Sequence, residues 1–479
     1  MASTPDTPVP EITLLERIGP KGWIRYILPF QLSPEYDINE VARVICEGYK
    51  FMAQQIPLAK CEIGPNRNVK QGGVDKLQLR TDDDFEDVLV KDLRDPSRFN
   101  WTYTELKEKS FPTTAFDERV YRHGVWPDPG GKIPVSFAQA NFIRGGVLLN
   151  WCAFHMVIDG TSAHTWMKIW AEGCRRAQDP QFNSTSDSMP IDPQNERRMW
   201  ADREAVMKPS GQNKGKPESH PEYIVFDTVP TGGPPPKLLA SNYKTTIFYL
   251  SPESMQRLKA ESAPQNATQV SGVDQKWVST NDALSALIWR SLMAVQNPLE
   301  SLEGDPISQF ALAIDARTRM KPALHEDTMG SFTTWILATA PIRKILGDFN
   351  LADLALIIRK TVLTADDQFI DDLMTLVENL DDIGQLILSP FIDCPGLHVC
   401  QTTWANSQFA SLDWGSMLGY RLDALRVPVN GLVNGMQLVL PMLPDGGMEV
   451  LIGVEEHNLD RLLNEPGLRD FAVYRSCPS

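Results

Sequence analysis

The sequence predicts a mixed α/β protein of two or three domains. Three observations carry this. The chain is 479 residues long, more than one compact core usually absorbs. Segments with a helical apolar period alternate with short apolar runs of strand length. Near the middle lies a stretch rich in Pro, Gly and Lys, KPSGQNKGKPESHP and then PTGGPPPK. That composition reads as a crossover linker. The expected organisation is a first domain over 1–206, a linker over 207–240 and a second domain over 241–479.

The elements follow in order. Ile38 to Gln55 places Val41, Val44, Ile45, Tyr49 and Met52 at helical spacing. Residues 56–63 (IPLAKCEI) read as a short strand, and the acidic run from Thr81 to Val88 as a solvated turn or helix start. Trp126-Pro127-Asp128-Pro129-Gly130-Gly131 marks a turn. Ile133 to Phe142, then Arg144-Gly145-Gly146, then Val147 onward read as strand, turn, strand. After the linker, Tyr243 to Leu250 alternates as a strand, and Ser251-Pro252 opens a helix. Ser279 and Thr280 precede a helix from Asn281 to Val295, whose early Asp282 suits a helix N-terminus. Phe310 to Ile314 reads as a strand, 351–382 as largely helical, and Asp393 to Trp414 as strand and loop. Gly435 to Leu443 turns at Pro444-Asp445-Gly446-Gly447 and returns over Met448 to Val454 as a hairpin.

Bulk properties narrow the function classes. A net charge of −15 disfavours nucleic acid or an anionic membrane as the main partner. The seven cysteines (46, 61, 152, 174, 394, 400 and 477) show no paired spacing, which fits reduced thiols rather than a disulfide framework or zinc site. The N-terminus lacks a basic segment followed by an apolar core, and no apolar run is long enough to span a membrane. A cytoplasmic protein with no nucleic-acid or membrane partner is expected.

The chain is organised around VLLNWCAFHMVIDG, residues 147–160. A buried-looking strand ends in His155. Asp159 and Gly160 follow, and Thr161 to Glu172 reads as a helix with Trp166, Ile169 and Trp170 on one face. A strand end holds an imidazole rigidly, and a neutral histidine can take a proton from a hydroxyl or amine. Asp159 either touches the ring or turns away and anchors the loop through an arginine. Gly160 allows a positive φ or a close approach where the helix starts. A lone His-x-x-x-Asp is a weak signal. A polar pair capping a buried strand, however, costs stability unless it has a use.

The flanks add a family resemblance. HMVIDGTSAHTWMKIWAE is similar to the HxxxDG stretch of BAHD acyltransferases. STNDALSALIWR, from Ser279 to Arg290, resembles that family's S-T-x-[DE]-x-L-x-A-x-x-W-[RK] helix. DARTRMKP (315–322), followed by Gly330, resembles its D-x-R-x-R-x-x-P…G element. Thr402-Thr403-Trp404 and then Asp413-Trp414-Gly415 resemble its T-x-W and DFGWG region. Four motifs in order cover most of the chain. The shorter DWG is closer to the fungal branch, which includes trichothecene acetyltransferases. Phe154 stands where the related condensation domains of peptide synthetases usually carry a second histidine.

The resemblance implies two chloramphenicol-acetyltransferase-like domains with a channel between them, and no metal. It implies a monomer that moves an acyl group, acetyl first, from acyl-CoA to the hydroxyl of a small specialised metabolite. His155 is then the general base, with no covalent acyl-enzyme. Trp404 and Thr402 are candidate donors to the oxyanion, although Trp404 is equally suited to an aromatic core. Asp159 is expected to be structural, paired with Arg317 or, second, Arg319, while Asp413, Trp414 and Gly415 form a structural loop. Ser279, Thr280, Arg257 and Lys259 are candidates for CoA, against the plainer readings of a helix cap and surface charge. Arg290 reads as structural. Three alternatives stay open: a carrier-protein acyl donor, N-acylation of an amine, and a non-catalytic binding protein.

Overall fold

The computed structural model describes residues 9–66, 76–128, 130–179, 199–200, 202–231, 235–271, 275–428 and 432–476. Pro129, Cys477 and residues 232–234 of the linker fall outside these. Two main sheets carry the molecule. The first has four strands, ordered Trp23–Gln31, Gly146–Phe154, Ser136–Ile143 and Leu89–Asp92. Gly146–Phe154 is buried along its whole length and pairs antiparallel on both sides. The tight connection at Arg144-Gly145 works because Gly145 takes a φ of 82°, which side chains disfavour. A fully buried strand between two partners is a rigid mount for whatever follows its end.

The second sheet has seven strands, ordered Thr333–Pro341, Ile307–Asp315, Val399–Thr403, Met436–Val439, Met448–Glu455, Tyr243–Leu250 and Val473–Ser476. Two helices, Thr280–Gln296 and Leu351–Thr364, share the core on this sheet. Ser279 caps the first through a reciprocal capping box with Asp282. The helix Ile38–Gln55 buries Val41, Val44, Ile45, Tyr49 and Met52, the residues its period singles out.

The two halves are interlaced. Phe409, Trp414, Leu418, Leu422 and Leu425 come from the second half of the chain but belong to the core of the first sheet. There Arg426 bridges to Ile27 of the edge strand. In return, Leu14 and Leu15 of the short helix Leu14–Ile18 pack with Ile370, Leu373 and Met374. A buried ion pair, Arg203 to Glu16 at 2.7 Å, fixes that helix.

Three sequence expectations are corrected. IPLAKCEI is not one strand: Pro57 opens a 3₁₀ turn over Pro57–Lys60, and the strand is Cys61–Pro65. The acidic run is the turn of its two expected readings and not the helix start, but it is not fully solvated. Asp82 there is buried and accepts from Lys132 and from the backbone of Asp84, forming a turn. The crossover segment is not plain linker either. Its Tyr223–Val225 is a strand paired with Leu386–Leu388, and buried His220 holds Glu222 at 2.8 Å. The six cysteines among the described residues are free. No helix among those residues is long and apolar enough to cross a membrane, and no His, Cys, Asp and Glu group among them could hold a metal ion.

Candidate active site

His155 follows directly on the central strand. Its backbone N–H donates to Gly22 O at 2.7 Å, which ties it to the entry of the neighbouring strand. The side chain opens into a cavity of about 1790 Å³ between the two halves. Burial lowers its pKa from the ordinary histidine value, outweighing the opposite pull of its own backbone, Asp159 and Ile158. The ring is therefore neutral at neutral pH, the form that accepts a proton. Nδ1 is buried and, among the described residues, has no hydrogen-bond partner of good geometry.

Asp159 turns away from His155. It caps the helix Gly160–Gln178, accepting from Ser162 N at 2.9 Å. Its other oxygen accepts from Phe332 N at 2.8 Å. Arg317 grips both oxygens, at 2.7 and 3.1 Å. The guanidinium also donates to Asp315, Ser162 Oγ and the carbonyls of Thr328 and Gly330, and it lies over the Phe332 ring. Asp159 and Arg317 are each only 1% exposed. Burial alone would raise the Asp159 pKa; the Arg317 charge and these hydrogen bonds reverse that and hold it below the usual carboxylate range. Arg319 is elsewhere, donating to Val362 O and Ala365 O. Arg317 thus ties the His155 turn to the second sheet.

Gly160 keeps an ordinary helical φ, and a Cβ there would touch the Trp404 indole at 3.4–3.5 Å. That is an ordinary van der Waals distance, so neither of the two expected reasons for a glycine, a positive φ or a close approach, holds here. Trp404 follows the strand Val399–Thr403, packs edge-on against Tyr26 and lines the cavity with Thr402. Among the described residues nothing accepts from Trp404 Nε1. Trp414 is fully buried between Phe30 and Trp170, and Gly415 takes a φ of 84°. The DWG turn therefore packs behind the helix, while Asp413 reaches the cavity rim.

One helix face forms a continuous part of the wall. Gly160, Thr161, His164, Thr165, Lys168, Ala171, Glu172 and Arg175 all line the cavity. Opposite them, Ala163, Trp166, Met167, Trp170 and Cys174 are core. That stripe runs from His155 outward for roughly 22 Å at the helical rise per residue. His164 on it is held to about 4 by burial and the Lys168 charge, so it is uncharged at neutral pH. Ser279, Asn281, Asp282, Arg319 and Arg359 also line the cavity.

Three candidates do not reach it. Arg257 and Lys259 sit on the exposed face of the helix Pro252–Glu261, which buries Met255 and Leu258 instead. Arg257 lies over the Phe471 ring and donates to Asp470 O. Thr280 is the first residue of its helix and is absent from the wall. Arg290 ties down the 344–348 turn through the carbonyls of Ile345, Leu346 and Phe349. The sequence does not single out Lys168, Arg175 and Arg359, and it marks Arg319 only as a second-choice partner for Asp159. The signal was present for Lys168, in the polar stripe facing Trp166 and Trp170.

The profile of the Transferase family matches residues 98–466. The chain belongs to this family, the BAHD acyltransferases. Trichothecene 3-O-acetyltransferase of Fusarium sporotrichioides is 24% identical over 467 residues, covering 93% of each chain. An eremophilane O-acetyltransferase of Penicillium roqueforti is 24% identical over 499 residues, covering 97% of this chain and 98% of that one. Among solved structures, F. graminearum TRI101 complexed with coenzyme A and T-2 mycotoxin superposes with a TM-score of 0.82 at 22% identity. That match covers 98% of this chain and 100% of the other. Vinorine synthase superposes with a TM-score of 0.63 at 16% identity, covering 97% and 95%. The two-domain fold with a channel between the halves is therefore the fold of this family.

Proposed function

We propose that this chain transfers an acyl group, acetyl first, from acyl-CoA to a hydroxyl of a small secondary metabolite, with His155 as general base. The observation that carries this is His155: neutral, rigidly mounted, and open to a cavity that reaches the surface along a polar helix face. The family membership and the O-acetyltransferases among the relatives support it.

In this reading the acceptor hydroxyl attacks the thioester carbonyl while His155 Nε2 takes its proton. A C–O bond forms, the C–S bond then breaks, and the imidazolium returns the proton to the leaving thiolate. The required tautomer carries its proton on the buried Nδ1. A positioned base of this kind contributes ~10²–10⁴-fold. Holding both substrates in one cavity supplies proximity, so no acyl-enzyme is needed. Trp404 Nε1–H, which has no protein acceptor among the described residues, is the donor to the tetrahedral oxyanion, with the Thr402 hydroxyl as its neighbour. Asp159 and Arg317 hold the base in place without touching the reacting atoms.

The CoA arm lies along the stripe from Thr161 to Arg175. Its phosphates meet Lys168, Arg175, Arg319 and Arg359, with Ser279 alongside. Lys168, Arg175 and Arg359 are paired with Asp327, Asp413 and Asp282, so the phosphates compete with these carboxylates for the cations. The test is thiol release from acetyl-CoA with a panel of hydroxylated metabolites. Acceptor-dependent release that disappears in His155→Ala supports the reading, and release that is equal in the variant removes it.

A further inference from the structure

The two ends of the cavity differ in charge balance. The lining carboxylates are Glu172, Asp282, Asp315, Glu326, Asp327 and Asp413. Glu172 is on the motif helix and the other five come from the second half of the chain, Asp282 from the start of the helix Thr280–Gln296 and Asp315 from the end of the strand Ile307–Asp315. Five have a cation within 4 Å: Arg176, Arg359, Arg317, Lys168 and Arg175 respectively, with Glu326 the exception. The described lining residues that flank Lys21 or pack on Gly22, among them Pro20, Trp23, Arg25, Val125 and Trp126, include no carboxylate. Gly22 there lies against Val125 O and the Trp126 ring. Across from it, Lys76 pairs with Asp382 at 2.6 Å, and the next residues, Ile383 and Gly384, line the wall.

Lys21 lines this part of the cavity. Its ammonium donates to Arg17 O at 2.7 Å and Gly19 O at 3.1 Å, and it meets no carboxylate among the described residues. Lys76, its cationic neighbour, has one. An ammonium shut into an apolar wall without a counter-ion is costly, and burial together with the Lys76 charge brings its pKa down to about 8. Two of its three N–H groups are occupied, leaving one for a ligand. The position is suited to recognition as well. The carbonyl of Gly22, next in the chain, accepts the backbone N–H of His155 at 2.7 Å. A molecule whose hydroxyl sits at His155 can therefore place a second polar group on Lys21.

We infer that Lys21 is the counter-charge for the acceptor, and that the preferred acceptor is a hydroxy acid: an apolar body bearing a carboxylate for Lys21 and a hydroxyl for His155. This rests on the acyl-transfer reading above. Capping of the helix Leu14–Ile18 is the competing role for Lys21, and the test separates the two.

Two acceptor pairs are used, ω-hydroxydodecanoate and cholate, each against its own methyl ester, with acetyl-CoA as donor. The wild type, Lys21→Met and Lys21→Arg are compared by the acid-to-ester ratio of kcat/KM. The wild type is expected to favour the acid in at least one pair. Lys21→Met should cut the ratio about tenfold or more, mainly through the KM of the acid, as loss of a charge-assisted contact does. Lys21→Arg should restore much of it. A helix cap alone would lower acid and ester together and leave the ratio unchanged. Binding of dodecanoate, which has no hydroxyl to acylate, gives a readout free of chemistry and should weaken in Lys21→Met. If esters are acylated in a His155-dependent way at rates equal to or above the acids in both pairs, the inference fails while the acyl-transfer reading stands. If no acceptor is acylated, the acyl-transfer reading fails. Dodecanoate binding that is the same in wild type and Lys21→Met overturns the inference in either case.

Discussion

Replacing Asp159 by alanine tests the joint between the two halves. The substitution removes both hydrogen bonds to Arg317, the helix cap on Ser162 N and the acceptor of Phe332 N. Breaking a buried pair by deleting one partner costs about 3–5 kcal/mol. Asp315, 3.0 Å from Arg317, remains as a partial replacement, so the lower end, about 3 kcal/mol, applies to the pair. The lost cap adds about 1 kcal/mol. Chemical denaturation should therefore show Asp159→Ala destabilised by about 4 kcal/mol at neutral pH. The effect carries a pH signature. Asp159 is depressed in the folded protein, so its contribution is complete above the usual carboxylate pKa and is lost as pH falls through the folded value. The gap between wild type and variant should hold from neutral pH down to mildly acidic conditions, then close in strong acid. Activity should also fall, because the His155 turn loses its anchor; misplacement by an ångström costs ~10²-fold. A variant within about 0.5 kcal/mol of wild type, the ordinary range for surface changes, or one that is fully active, would refute this reasoning.

Other predictions follow from the same geometry. The pH profile of kcat/KM should rise through a pKa below the ordinary histidine value and be flat across neutrality, because burial favours neutral His155; a rise centred well above that value would count against it. Trp404→Phe keeps the ring and removes Nε1–H, so kcat should fall ~10²–10³-fold with thermal stability near wild type. Lys168→Ala and Arg359→Ala should raise the KM for acetyl-CoA but leave that for an acetyl-pantetheine lacking the nucleotide phosphates nearly unchanged, and added salt should shrink the difference. Arg257→Ala and Lys259→Ala should leave both values at wild type, since neither residue lines the cavity.

Features set by neighbours in the chain were legible in the sequence. The helix Ile38–Gln55 shows its buried face by spacing alone, and Ser279 with Asp282 spells a capping box. His155 and Asp159 stood out because a polar pair ended an apolar run. What failed depends on distant partners. Nothing local in Phe409 or Trp414 says that they complete the core under the first sheet. Tyr223–Val225 becomes a strand only because Leu386–Leu388 pairs with it. Arg359 reaches the cavity through Asp282 and the Trp277 ring, a geometry that spacing does not encode. The choice of Arg257 and Lys259 was avoidable. Met255 and Leu258 mark the buried side of that helix, which turns 257 and 259 outward.

The most direct test of the central claim is single-turnover thiol release from acetyl-CoA, with and without a hydroxylated acceptor, for the wild type and His155→Ala. Direct transfer predicts no thiol burst and no acetylated protein before acceptor is added, then acceptor-dependent release that falls ~10²–10⁴-fold in the variant. An acceptor-independent burst that leaves one acetyl group on the protein, or release of equal rate in His155→Ala, would contradict it.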